Sequence, residues 1–502
     1  MPEEFLKVLR RDWWKIAVLL AFVTLVALAV ARHEPFSDEG QSWMLTRNVS
    51  PFSLVFEYCR YEAHPCIWYL LLVIPAKLGL PYYFLNIISA AIATFTVYLL
   101  LWHSPFPSYV RVLLPFTYFF FYQYAIVARG YVLVAPLLFM TAMLYRKRVE
   151  RPYLFVVLLS LLANAEIPAA LVALGIFGAH WIDLRREWSA LETPKRKALL
   201  WSSVIFAASF AFMIITVWSP SDSQTKPDIV ISLKQCWYVF VNQFLHGSIT
   251  NYWYLTLIIL IISCLWFRTR RVLLLYLLPT LLHFLQTAAV PSSVFHQGIF
   301  FLEWIFALWV SFEGITRLEM DTKNLMRVLR KLVTVCMLIV IGIQIYWGIS
   351  AFAYDRSNVY CGTYDVANFI KANKLENGKI YMVGGQSTEG VNLYFDRNIF
   401  ANLNGGRKDQ AFWDLSGKNK TPWFLDDDAM RTIERDQPGL VVVSLASVHN
   451  RSFEELNRSL SNTNYRAIGP FLGHMIWLEH RYVEPAYSYY IIVNTKKYSL
   501  PE

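Results

Sequence analysis

Charge is scarce in this chain. Only 16% of its 502 residues are Asp, Glu, Lys or Arg, against 56% hydrophobic, and mean hydropathy is +0.38. Covering a water-exposed surface over this length takes nearer 25% charge, which excludes an ordinary soluble globular protein. Disorder is excluded as well, because the apolar surface is far too large to stay solvated. Cysteine is sparse: Cys59, Cys66, Cys236, Cys264, Cys336 and Cys361 include no CxxC pair and no metal spacing. Neither GxxxxGK[ST] nor HExxH occurs, so an ATP-driven pump and a metalloprotease of that type are excluded. What remains is an α-helical polytopic membrane protein. The net charge of +10 reflects 46 Lys and Arg spread along the chain, which fits topology and gives no reason to expect a nucleic-acid partner. The 18 Trp suit membrane-interface belts.

Apolar runs suggest about eleven crossings, at roughly 16–31, 82–102, 110–126, 131–145, 153–165, 167–183, 199–218, 252–267, 272–289, 297–314 and 331–352. The first follows Lys7, Arg10, Arg11 and Lys15 and has no small-residue cleavage site, so it is expected to be retained. The apolar stretch Ile67–Leu80, interrupted by Pro75, Lys77 and Gly79, suits a helix lying on the membrane surface. With a cytoplasmic N-terminus, that choice puts the basic clusters Arg146–Arg151, Arg185-Arg186, Lys195–Lys197, Arg268–Arg271 and Arg317–Lys331 inside. Counting Ile67–Leu80 as a crossing would place them outside. After Phe352 the composition turns polar. Short strands are expected at Lys379–Val383, Gly439–Ser444, His474–Glu479 and Tyr489–Val493, and helices near Tyr364–Lys374 and Ser452–Ser461. Residues 1–352 therefore read as a transmembrane domain and 353–502 as an extracytoplasmic α/β domain.

The first outer loop carries the clearest chemical signal. It runs Arg32-His33-Glu34-Pro35-Phe36-Ser37-Asp38-Glu39-Gly40 and ends at Tyr61-Glu62-Ala63-His64-Pro65. Asp38 and Glu39 start where the first span ends, so a short tether holds two carboxylates at the lipid–water boundary, where packing does not call for them and one can serve as a general base. Cys59 and Cys66 share this loop, where a disulfide could form. Arg129 stands at the outer end of a span, at the depth of a lipid phosphate. Glu166 sits in the polar break Asn164–Pro168, and His296-Gln297 opens a later span on the same side. Lys226 and Lys234 belong to an outer loop, 219–251, that could cover the site. Glu303 and His283 fall inside spans, where a structural pairing is expected.

Taken together, Ser37-Asp38-Glu39-Gly40-Gln41-Ser42-Trp43, Glu62-Ala63-His64-Pro65 and Ala128-Arg129-Gly130-Tyr131 resemble the GT-C superfamily of polytopic glycosyltransferases. Within it the likeness is to the protein O-mannosyltransferase and lipid A aminoarabinose transferase branch. The resemblance covers roughly residues 1–350; where the family's His or Lys precedes two prolines, Pro65 here is followed by Cys66. It implies a polyprenyl-phosphate sugar donor, a glycan, lipid or protein acceptor, and inverting transfer at the outer membrane face. Asp38 matches the family's catalytic aspartate. Glu39 would orient the acceptor or tune Asp38; Arg129 and His64 would hold the donor phosphate. Glu62, Glu166, His296 and Tyr131 would line the cavity. A divalent metal on Glu62 and His64 is left open, since only some members need one. The alternative reading is a lipid or solute transporter working through Glu303 and His283, which inverted repeats would support; none is visible.

Overall fold

The computed structural model describes residues 2–498 except 227–228, 230, 291–293, 315–323, 407, 409, 411, 414–420 and 450. The first half of the basic run Arg317–Lys331 thus lies outside the described residues. The protein is a helical membrane protein with a small strand-containing C-terminal region. Of the eleven expected crossings, five are helices long and apolar enough to span a bilayer: Asp12–Val30, Phe84–His103, Ile167–Leu184, Thr193–Val217 and Asn324–Ser357. Five others coincide with shorter apolar helices, Gly130–Tyr145, Pro152–Ala163, Trp253–Thr269, Leu273–Ala289 and Gln297–Phe312. The expected span at 110–126 is not one helix. It breaks into Ser108–Leu113, a tight turn at Leu114–Phe116, an extended Thr117 and a wide turn at Phe119–Gln123. Pro115 removes a helix donor at the break.

The helix Gln297–Phe312 is buried on every side. Two of its polar groups bond to neighbouring helices: the Trp304 indole donates to Ser263 Oγ (2.9 Å), and Ser311 Oγ accepts from the Trp266 indole (2.8 Å), whereas Gln297 Oε1 and the Trp309 indole have no partner among the described residues. Glu303 pairs with His283 (2.6 Å) and accepts from Thr280 (2.6 Å), the structural pairing expected for carboxylate and imidazole in an apolar interior.

The segment between α1 (Pro2–Val30) and the helix Ile67–Lys77 is helical rather than a loop. It contains α2 (Ser37–Asn48), the turns Pro51–Ser53 and Leu54–Tyr58, and Cys59–Glu62. The Ile67–Lys77 helix has eleven residues, about 16 Å of rise, too short for a bilayer core of about 30 Å. Its inner face, Trp68, Leu72 and Ala76, is buried, while Leu71, Ile74 and Leu78 face outward. Cys59 and Cys66 are both free, so the disulfide does not form; they pack as apolar groups with Leu45, Leu54 and Tyr69.

The C-terminal region is built on a sheet of order β1 (Ile380–Val383), β2 (Leu440–Ser444), β6 (Tyr489–Asn494), β3 (Tyr465–Phe471). β1 and β2 are parallel and the other pairs antiparallel. β2 and β6 are buried along their whole length, as expected of unalternating Val/Ile runs covered on both faces. One face packs helices Asp427–Asp436 and Phe453–Leu460 through Ile433, Leu456 and Leu460. The other, through Leu440, Val442 and Ile491, joins the core of the bundle. A separate hairpin, β4 (His474–Trp477) and β5 (His480–Val483), sets Trp477 against Tyr118, Phe119 and Phe295 at ring distances of 5.3–6.4 Å. The last long helix continues to Ser357, past the expected boundary at 352, and so carries Asp355 to the junction.

Candidate functional site

α2 lies between the bundle and the C-terminal region. Gly40 approaches Leu393 so closely that an added Cβ would sit 3.3 Å from its side chain, and Arg47 donates to the Phe395 carbonyl (3.1 Å). Asp38 and Glu39 occupy the first turn of this helix, where unpaired backbone N–H groups favour negative charge. The two carboxylates then diverge.

Glu39 turns inward and is fully buried. One oxygen accepts from the Ala128 amide (2.6 Å); the other accepts from the Phe36 amide (3.2 Å) and meets His33 Nε2 (3.2 Å). His33 Nδ1 lies 2.9 Å from Asp355, which also accepts from the Tyr122 hydroxyl (3.0 Å). A chain of Glu39, His33, Asp355 and Tyr122 therefore ties α2 to the turn before Arg129, the broken segment and the end of the last long helix. Burial alone would strip the charge from His33, but the carboxylates of Asp355 and Glu39 on either side outweigh it and hold its pKa well above the usual value. The expected role of Glu39 beside the acceptor is not what its geometry shows: both oxygens are spent on the scaffold. This is also where packing does call for a carboxylate at the boundary.

Asp38 faces the other way and pairs with Arg129. Arg129 holds an extended backbone ahead of the turn Gly130–Leu133, and its Nη2 lies 3.1 Å from His64 Nε2. His64 Nδ1 lies 3.1 Å from Glu166. Arginine can only donate, so His64 Nε2 accepts and Nδ1 carries the proton toward Glu166. The result is a continuous chain of Asp38, Arg129, His64 and Glu166. Asp38 and His64 keep 32% and 25% of their side-chain surface, Arg129 11% and Glu166 4%, so the chain opens at one edge and is rooted at the other. Two local features build it. Ala63 adopts a left-handed backbone (φ +53°) that ends the Cys59–Glu62 turn and swings His64 out of it. Gly130 packs against the 165–166 turn: an added Cβ would run into the Glu166 carboxylate and lie 3.2 Å from the Ala165 carbonyl.

The remaining expected residues surround this chain. Glu62 accepts from Gln41 (2.9 Å); burial pushes its carboxyl up to about 7, although the Gln41 bond and the neighbouring His64 and Arg129 pull the other way. The Arg129 guanidinium lies 5.6 Å from the Tyr131 ring centre. Tyr131 meets His296 edge-on at 5.5 Å. Burial, then the nearby His283, His64 and Arg129, push His296 down to about 3, and its Nδ1 is buried without a partner among the described residues. The 219–251 segment, expected as a loop, is helical over Leu233–Val239 and continues in a wide turn at Phe240–Leu245; its first part reaches Tyr61, which donates to Asp222 (3.1 Å) and whose carbonyl accepts from Thr225 (2.7 Å). Lys226 and Lys234 point to solvent and are not brought into the chain. The suggested metal pair does not fit: both His64 nitrogens are engaged by Arg129 and Glu166, Glu62 is held by Gln41, and no group of three ligating side chains occurs among the described residues.

Four participants escaped the sequence reading as site residues: His33, Asp355, Tyr122 and Tyr487. The Tyr487 hydroxyl lies 3.4 Å from Ser37 Oγ, which in turn lies 3.5 Å from Asp38. Only an aspartate at the end of an apolar helix was there to notice for Asp355; the tyrosines carry no local signal.

No family model matches the chain, and neither a curated protein nor a solved structure matches it.

Proposed function

We propose that the protein is an inverting glycosyltransferase that moves a sugar from a polyprenyl-phosphate donor to an acceptor hydroxyl at the outer face of the membrane. The observation that carries this reading is the pairing of Asp38 with Arg129, 91 residues apart in the chain, at the open edge of a polar cluster beside the bundle. A carboxylate and a guanidinium are the two groups this reaction needs. A phosphate-linked sugar already has a good leaving group, so chemistry requires a base for the acceptor and a cation for the departing phosphate.

The donor phosphate competes with Asp38 for the Arg129 guanidinium, which binds phosphate oxygens through two hydrogen bonds. Its arrival frees Asp38 to face the acceptor. Asp38 takes the acceptor proton, the acceptor oxygen bonds the anomeric carbon from the side opposite the phosphate, and the bond from that carbon to the phosphate oxygen breaks. The products are an inverted glycoside and a polyprenyl phosphate whose new charge stays on Arg129. His64 and Glu166 act behind Arg129, fixing its plane, and Glu39 acts through the scaffold that positions Asp38. Metal chemistry is not part of the reading, because His64 and Glu62 are committed to protein partners. The acceptor is a glycan, lipid or protein.

Native mass spectrometry of the purified protein tests the donor half. A co-purifying polyprenyl-phosphate sugar, lost in Arg129→Ala, is the expected result. Ordinary phospholipid alone, equally bound by both proteins, overturns it.

A further inference from the structure

The reaction above leaves unused a cleft of about 310 Å³ in the C-terminal region. It lies at the carboxyl ends of the parallel strands: Gly384 follows β1 and Ser444 ends β2. Ligands of open α/β sheets gather at that end of the strands. Trp413, Trp423 and Phe424 line it together with Ser387, Ser444 and Ser447; Ser387 Oγ donates to the Gly384 carbonyl (3.1 Å) and Ser447 Oγ to Ser444 Oγ (3.4 Å). Among the described lining residues none is charged.

The two adjacent aromatics are not explained by the core. Trp423 and Phe424 are 49% and 48% exposed, at positions where burial would be the ordinary use of such rings. Trp423 is nevertheless seated. It lies on Gly385, whose φ of +63° suits glycine, and an added Cβ there would come within 2.6 Å of the ring. A bare glycine under one edge of an indole leaves the rest of the ring facing the cleft. A lining of aromatic rings and neutral hydroxyls matches a sugar, which offers an apolar C–H face and a rim of hydroxyls. The volume lies at the small end for ligand sites, suited to a sugar terminus rather than a long chain.

The position of the cleft connects it to the chemistry. Ser37 and Tyr487 also line it, and Ser37 Oγ lies 3.4 Å from the Tyr487 hydroxyl and 3.5 Å from Asp38. Ser37 is thus shared between the cleft and the surroundings of the proposed base.

We propose that this cleft is the acceptor subsite and that the acceptor is a glycan ending in a neutral sugar. The proposal rests on the glycosyl-transfer reading for its purpose, but not for its test. Full-length protein in phospholipid nanodiscs, free of sugar detergents, is probed by saturation-transfer NMR. The probes are the methyl glycosides of glucose, mannose, galactose and N-acetylglucosamine, and a short Ser/Thr peptide. At least one glycoside binds the wild type and binds about tenfold more weakly in Trp423→Ala. It also weakens in Ala446→Trp, which fills the cleft from an exposed position and removes no core contact. Binding of no glycoside, undiminished binding in the Ala446→Trp protein, or binding of the peptide alone overturns the proposal. Failure here with a polyprenyl-phosphate lipid still bound removes the acceptor subsite and leaves the enzyme. Trp423-dependent sugar binding with no such lipid removes the enzyme and leaves the cleft.

Discussion

Two neighbouring carboxylates have opposite environments, and that contrast governs what each does. Asp38 stands at the open edge with Arg129, whereas Glu39 is enclosed with three partners. Glu39→Gln turns an amide donor toward donors already there, so opening this buried charged pair costs about 3–5 kcal/mol. Thermal unfolding of the purified variant checks this: a clear fall in Tm is expected, and an unchanged Tm contradicts the buried chain. The same residues set a pH dependence. Glu62 and Glu34 are both pushed up to about 7 by burial, against the bond each accepts, from Gln41 and from the Tyr360 amide. His33 is raised well above its usual value by Asp355 and Glu39 despite burial. All three hold protons more tightly folded than unfolded, so stability falls as pH rises. For the carboxyls the loss spans the ordinary carboxyl range up to about 7; for His33 it begins near neutrality and continues through its raised pKa. His296, pushed down to about 3, acts in the opposite sense below its ordinary value near 6.5, but the three raised groups outnumber it, so Tm is higher at pH 5.5 than at pH 8, and Glu62→Gln flattens the acidic part of that slope. A Tm that rises over this interval contradicts the assignment. At this scale the sequence showed that two carboxylates follow closely on the first apolar span. It could not show that Asp38 and Glu39 point apart, because rotation about one helix turn depends on Ala128, Phe36 and His33 together.

Elements were legible where their pattern was local. β2 and β6 read as largely Val/Ile runs, and the Ile67–Lys77 helix is too short to cross, carrying Pro75 in its last turn and ending just before Gly79, whose φ is +72°. The region 32–65 read as a loop because its polar residues mask a helix whose faces are both covered, by the bundle and by the C-terminal region. The 110–126 run looked like a span because apolar composition is blind to the break at Pro115 and Thr117. β3, with Gly469 and Pro470 inside it, β5, exposed along its whole length, and the helix Asp427–Asp436, with only Ala429 and Ile433 buried, were missed because none carries a clear apolar run. The turn at Gly130 offers the sharpest test at this scale. Gly130→Ala forces a methyl group into the Glu166 carboxylate, displacing the support of His64 and, through it, Arg129. Sugar transfer by this variant is expected to drop about 10²-fold with the protein still folded, and full activity would show that Arg129 does not depend on that contact.

For the whole molecule, the polar cluster forms where five separated segments meet: α2, the 62–64 turn, the 128–131 turn, the 164–166 break and the end of the last long helix. The C-terminal region closes one side of it through Trp477 and Tyr487. This convergence was visible in the sequence only as a shared outer side, inferred from basic clusters, and the meeting itself belongs to the fold. The inferred sidedness has its own check. In a background without Cys236, Ser461→Cys in the C-terminal region is labelled by a membrane-impermeant maleimide on intact cells, and Ser189→Cys between two apolar helices is not. The reverse pattern would put the cluster on the cytoplasmic face. The central claim is that Asp38 removes the acceptor proton while Arg129 holds the phosphate. Transfer from a purified polyprenyl-phosphate sugar by Asp38→Asn in nanodiscs addresses it most directly. A fall of about 10²–10⁴-fold with donor still bound is predicted, whereas turnover at the wild-type rate would contradict it.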